Sequence, residues 1–221
     1  MFGLHLSASR NNLTSAAEQI VGNLEKPVVT VWLTGQEADD GIGELKFGSE
    51  DRDYCEKNSG FVPILNADYR YSFSYQFHLS AASAIVDNLE VTVKLNSTVH
   101  LNPAEDYIYC SQDFQDIVIN ATTAVYNITA KYYQVDCDAV KTSRITLNIG
   151  GKGNTTNHTK KLVLTGADYI EYDQDHNTCY LTTRVSPFSS TPLFLGRSFF
   201  KNHCFTYNVN EKTIAFSGKK F

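Results

Sequence analysis

Residues 91–103 read VTVKLNSTVHLNP and gather an ammonium, a carboxamide and two hydroxyls into five consecutive positions, Lys94, Leu95, Asn96, Ser97 and Thr98. A lysine in such a run either holds an anionic ligand or is a strand residue reaching solvent, and the hydroxyls become nucleophiles only beside a base. The local signature GxSxG is absent, although the members of a Ser/His/Asp set need not be neighbours. A second cluster, Glu171-Tyr172-Asp173-Gln174-Asp175-His176, sets three carboxylates beside a histidine. That is the make-up of an acid/base or metal cluster or of a solvated turn, and the density of charge favours the turn. His5, His78, His100, His158, His176 and His203 show no HxH or HExxH spacing, so no metal site and no cofactor are expected. The segment GGKGNTTNHTKK, residues 150–161, does not match GxxxxGK[ST] and reads as a polar hairpin excursion, a solvated turn with glycosylation acceptors and not a phosphate loop.

The elements that must position these residues are mostly strands. The run around Lys94 alternates up to Lys94, breaks at Asn96-Ser97-Thr98 and resumes with Val99, His100 and Leu101 before Pro103. That pattern predicts a strand, a tight loop and a second strand. Residues 27–33, 43–48, 69–82, 91–101, 145–149, 161–164 and 204–209 all favour strands through β-branched and aromatic side chains. Helical spacing occurs at 15–24, where Ile20, Val21 and Leu24 share a face, and from Ala104 to about Phe114 behind Pro103. Asp87-Asn88 has the chemistry of a hairpin turn leading into Val91–Leu95. An all-β fold with a few short helices follows.

With 221 residues and 42% hydrophobic side chains, the chain is long enough to bury a sizeable core as one domain. A net charge of −5 without a basic stripe argues against a nucleic-acid partner. No apolar stretch approaches the roughly 20 residues of a membrane span, and the N-terminal residues lack the sections of a signal peptide, as if the export signal were absent or already removed. Export is nevertheless expected. Asn-x-Ser/Thr acceptors stand at Asn12, Asn96, Asn120, Asn127, Asn154 and Asn157. The cysteines Cys55, Cys110, Cys137, Cys179 and Cys204 lie far apart without CxxC, which suits two disulfides and one odd thiol in a secreted, extracellular or lysosomal protein.

Near the C-terminus, LFLGRSFF followed by KNHCFTYNVNEKTIAFSGKK resembles the closing segment of the pepsin-like aspartic peptidases (peptidase A1). Met1-Phe2-Gly3-Leu4 resembles the hydrophobic-hydrophobic-Gly segment that closes the family's first lobe. PVVTVWLTGQEADDGIGELKFGSEDRDYC is similar to the strand, acidic turn and strand that open the second. FVPILNADYRYSFSYQFHLSAAS, ITLNIGGK and LTGADYI are similar to later strands of that lobe. YYQVDCDA and DHNTCYL resemble the segments that its disulfide joins. The resemblance leans towards the nematode branch and covers nearly the whole chain. It implies a second lobe over 27–221, a remnant of the first lobe with one helix over 1–26, disulfides Cys137–Cys179 and Cys55–Cys204, and a free Cys110 on the helix after Pro103.

On this pattern, KLNSTVHLNP falls where the second lobe carries its hydrophobic-Asp-Thr/Ser-Gly-Thr-Ser signature and, further on, Gly-Pro. Lys94 takes the place of the aspartate, Leu95 that of the Thr or Ser, and Asn96 that of the glycine, while Ser97, Thr98 and Pro103 keep register. Ala84-Ile85-Val86-Asp87 spells the usual lead-in, but Asp87 stands 16 residues before Pro103, whereas Lys94 stands nine before it, as the family's aspartate does. The family's two carboxylates, about 3 Å apart, share a proton and hold the attacking water. A lysine side chain, with a reference pKa of about 10.4, stays protonated at acidic pH and cannot act as that base. The first lobe's aspartate is expected to be missing too. The resemblance therefore implies a pseudo-peptidase that binds a peptide or protein through the remnant cleft. Its alternatives are an active aspartic endopeptidase, if a longer chain supplies a working site, and a truncated gene product with exposed interlobe strands around Val28–Leu33.

Overall fold

β-Branched and aromatic residues in short runs, separated by Gly, Asn and Asp, give a chain dominated by strands. The computed structural model describes residues 16–33, 43–65, 75–102, 105–151, 159–186 and 193–220. Met1-Phe2-Gly3-Leu4, His5, Asn12, Pro103, Asn154, Asn157 and His158 lie outside the described residues. The chain divides into two units, residues 1–78, 150–160 and 200–221, and residues 79–149 and 161–199.

The first unit holds helix α1 (Ala16–Val21) and strands β1 (Val28–Leu33), β2 (Gly43–Phe47), β3 (Val62–Pro63), β15 (His203–Asn208) and β16 (Thr213–Gly218). They form a sheet in the order β2-β1-β15-β16-β3. Val29, Thr30 and Val31 are all buried because β1 is an interior strand. The one polar member of that run, Thr30, lies opposite Thr206, and their hydroxyls meet at 2.9 Å. The Thr30 hydroxyl also donates to the Ser49 carbonyl at 3.3 Å, so the buried pair is satisfied. Asp51 is buried beneath β1 and accepts hydrogen bonds from the Trp32 indole (3.2 Å), Lys46 (3.3 Å) and the backbone N–H groups of Asp53 and Tyr54. Burial pushes its pKa up, but those donors outweigh burial and hold the carboxyl below the usual carboxylate value. Cys55 and Cys204 form a disulfide in this unit.

The second unit contains most of a seven-stranded sheet, β10-β9-β4-β5-β14-β6-β13, whose strands are β4 (Gln76–Val86, its first three residues counted in the first unit), β5 (Leu89–Leu101), β6 (Ile108–Cys110), β9 (Arg144–Ile149), β10 (Lys160–Thr165, its first residue likewise), β13 (Thr183–Val185) and β14 (Leu193–Leu195). A four-stranded sheet, β11-β12-β8-β7, is built from β7 (Val125–Asn127), β8 (Tyr132–Val135), β11 (Ile170–Asp173) and β12 (Thr178–Leu181). Cys137 and Cys179 form its disulfide. The remaining helices are α2 (Gln112–Thr122), α3 (Ala139–Thr142), α4 (Gly166–Tyr169) and α5 (Arg197–Phe200).

Two local expectations are corrected. The helix expected from Ala104 to about Phe114 is displaced, because Ile108–Cys110 is strand β6, paired in parallel with Thr183–Val185. Ser111 supplies the real start: its hydroxyl accepts the Phe114 N–H at 3.4 Å, and Phe114, Ile117 and Val118 form the buried stripe of α2. Cys110 is a free, buried thiol, but it sits on β6 and not on a helix. The tight loop expected at Asn96-Ser97-Thr98 is also absent. β5 is one strand of 13 residues, held between β4 and β14, and the break in alternation is absorbed at a single residue, Asn96, whose φ is +40°.

Candidate functional site

The β4–β5 hairpin is set by its turn. Asp87 and Asn88 have φ of +50° and +63°, the pair of positive values that a two-residue turn needs and that Asp and Asn tolerate better than most residues. Asp87 is an exposed turn residue at the tip. Along β5, residues 89–92 and Lys94 are exposed, Leu95, Ser97 and Thr98 are half-buried, and Val99, His100 and Leu101 are buried. Lys94 to Thr98 thus occupy the stretch where the strand passes from solvent into the core.

That passage is anchored by β14. Val99, His100 and Leu101 pair in parallel with Leu193, Phe194 and Leu195, and the Asn102 N–H donates to the Leu195 carbonyl at 3.0 Å. Gly196 follows because no side chain fits there: a Cβ would lie 2.3 Å from the Tyr107 carbonyl oxygen and 2.6 Å from that of Glu105. Arg197 then ion-pairs with Asp106 and donates its backbone N–H to Glu105 at 2.6 Å. The sequence run LFLGR is accounted for by this arrangement: two buried leucines, Leu193 and Leu195, a forced glycine and a clamp.

In the sequence His100 is only one of six scattered histidines, yet it is buried on β5 next to the candidate run. It is 3% exposed, its ring is 4.9 Å from that of Phe194, and its Nε2 is 3.1 Å from the Thr98 hydroxyl. Burial pushes its pKa down to about 4. Its alternation with Thr98 along the strand is the one sequence signal that could have paired them.

The other candidates separate from this site. Glu171 to His176 spans the end of β11 and the turn into β12. There the Asp173 carboxylate accepts the N–H groups of Asp175 and His176 and pairs with the His176 ring at 2.7 Å, a contact that holds its carboxyl below the usual value. Among the described residues no group of three or more His, Cys, Asp or Glu is placed to hold a metal ion. A cavity of about 520 Å³ in the first unit is lined in part by Glu25, Lys26, Glu50, Arg52 and Asn208 and includes no residue of the Lys94–Thr98 run. Its charges balance, and Glu50 and Arg52 pair with each other at 2.5 Å.

The family model described as eukaryotic aspartyl protease matches residues 5–219. The chain belongs to the eukaryotic aspartyl proteases. No curated protein matches it. As a member of this pepsin-like family, the chain has a mostly β-sheet fold with short helices, two disulfides, and among its described residues no helix long and apolar enough to cross a membrane. The strand that the resemblance aligns with the aspartyl protease signature is the long β5, with its left-handed residue at Asn96.

Proposed function

We propose that this aspartyl protease homologue is a secreted, non-catalytic second lobe that binds an extended peptide or protein segment through the region around Lys94, Leu95, Asn96 and Ser97. The observation that carries the reading is the presence of Lys94 where the family's register calls for aspartate, nine residues before Pro103. The parallel pairing of Val99–Leu101 with Leu193–Leu195 and the left-handed Asn96 in the glycine position support that register. Asp87, the other aspartate near the signature, is an exposed turn residue.

The chemistry follows from charge. A dyad needs one ionised and one protonated carboxyl sharing a proton, whereas an ammonium beside a carboxylate makes an ion pair that neither holds nor deprotonates the water. Lys94 is the residue that the second lobe would contribute to such a dyad. Lys94 is exposed on its strand and free to meet an acidic group on a ligand. Export is supported by the two disulfides and by the sequons. On this reading residues 27–221 form the second lobe and residues 1–26 the end of the first. The match of the family model over residues 5–219 favours a second reading, an aspartic endopeptidase whose site is completed by a longer chain.

Selection from a library of extended peptides tests the proposal. The full chain should retain acidic peptides and release them uncut, and Lys94→Glu should shift the selection away from acidic sequences. Recovery of cut peptides, or a selection that Lys94→Glu leaves unchanged, would refute it.

A further inference from the structure

The four-stranded sheet carries an ordered polar and aromatic face. Asn127 lies opposite Tyr132, Gln134 opposite Tyr180, and Tyr180 opposite Glu171. Directly opposed residues share a face, and so do Tyr132 and Gln134, two apart on β8. Hydrogen bonds lock these side chains: Asn127 Nδ2 donates to Gln134 Oε1 at 3.4 Å, Gln134 Nε2 to the Thr178 hydroxyl at 2.6 Å, and the Tyr180 hydroxyl to Glu171 Oε2 at 3.1 Å. The rings of Tyr132 and Tyr180 lie 5.0 Å apart with their planes 35° from parallel. Both are half-buried, so each keeps ring surface open to solvent.

Asn127 also heads the sequon Asn127-Ile128-Thr129. Its Oδ1 accepts the backbone N–H groups of Thr129 and Ala130, both at 3.0 Å, and this turn fixes the carboxamide. With Oδ1 held, Nδ2 is aimed along the face towards Gln134. Nδ2 is the atom to which an N-linked sugar is joined. Ile128, at 83% exposure, leaves the outer side of the tripeptide open.

We propose that Asn127 carries an N-linked glycan whose first sugars lie on the Tyr132 and Tyr180 rings, so that the face is a seat for the chain's own saccharide. In the joining step the Asn127 Nδ2 loses one proton and forms a bond to the anomeric carbon of a lipid-diphosphate oligosaccharide. The carbon–oxygen bond to the diphosphate breaks, and the lipid diphosphate leaves with the electron pair and takes up the released proton, directly or through solvent. Nδ2 keeps one N–H, which can still reach Gln134. The sugar's C–H faces then cover aromatic surface, and its hydroxyls meet Gln134, Thr178 and Glu171. Because the saccharide is tethered within reach, a weak intrinsic affinity, of about millimolar strength, is enough for it to occupy the face. A saccharide that contacts only the folded state stabilises that state.

The proposal rests on the chain being exported, and the test supplies that condition with a secretion leader, so its failure is separable from failure of the export reading. The full chain is secreted from a eukaryotic host, and the occupancy of Asn127 is read by glycopeptide mass spectrometry. Thr129→Ala removes the sugar but keeps the Asn127 turn, which uses only the backbone N–H of residue 129. It should lower Tm by about 2–4 °C, the shift that a modest tertiary contact gives in a domain of this size. The same change made in a Tyr132→Val background should shift Tm by less than about 1 °C, and in a Tyr132→Phe background, which keeps the ring, by the full amount. An unmodified Asn127, or equal Tm losses with and without the ring at 132, would overturn the proposal.

Discussion

Acid should loosen the strand that carries the candidate site, and His100 sets the size of the effect. In the folded chain burial pushes its pKa from 6.5 down to about 4. The unfolded chain therefore binds the proton more readily, and stability must fall as pH falls. The contribution is complete above pH 6.5, declines by about 1.4 kcal/mol per pH unit below it, and is lost by about pH 4. The full change is about 3 kcal/mol. Urea unfolding followed by circular dichroism between pH 7.5 and pH 4 measures it. His100→Leu should cost some stability at pH 7.5 but should flatten the pH dependence, so that the difference between the two proteins shrinks or reverses near pH 4. Asp51 and Asp173, whose carboxyls are also held low, lose stability in acid in both proteins and cancel from the comparison. Equal pH slopes for wild type and His100→Leu would refute the reasoning.

Three further outcomes are expected. Gly196→Ala should destabilise by about 2 kcal/mol or more, because its Cβ meets two backbone oxygens that cannot move aside; a urea midpoint within error of wild type would contradict the packing described. Thr123→Gly should stabilise by about 1 kcal/mol, since Thr123 closes α2 with φ of +52°, a conformation that costs a β-branched residue and not glycine; thermal unfolding measures it. Cys110, whose thiol burial pushes up to about 12, should resist alkylation in the native protein and react in denaturant, and peptide mapping without reductant should recover Cys55 with Cys204 and Cys137 with Cys179.

Local chemistry was legible in the sequence where it rests on a few adjacent residues. Asp87-Asn88 predicted a turn because both side chains tolerate positive φ, and the strands around Val28–Leu33 and Ile145–Ile149 follow from β-branched runs. What depended on distant partners was not legible. Asn96-Ser97-Thr98 looks like a loop, yet the neighbours β4 and β14 hold it within one strand. Pro103 suggested a helix start, but the cap that decides the helix is Ser111, and the parallel pairing of β6 with β13 claims the residues between. The role of His100 needed the knowledge that Phe194 lies against it from 94 positions away. The parallel pairing of Val99–Leu101 with Leu193–Leu195 likewise joins residues far apart in the chain and was not read from the sequence.

The central claim, that the second-lobe strand has kept its register and lost its chemistry, is tested most directly by acidic cleavage of an unstructured protein. The unmodified chain, alone or mixed with the first lobe of an active relative with a compatible interlobe surface, should give no cleavage. The triple variant Lys94→Asp, Leu95→Thr, Asn96→Gly mixed with that same lobe should give acid-dependent cleavage, since it restores the carboxylate that can share a proton with its partner. Cleavage by the unmodified chain that an active-site inhibitor of aspartic peptidases abolishes would contradict the account.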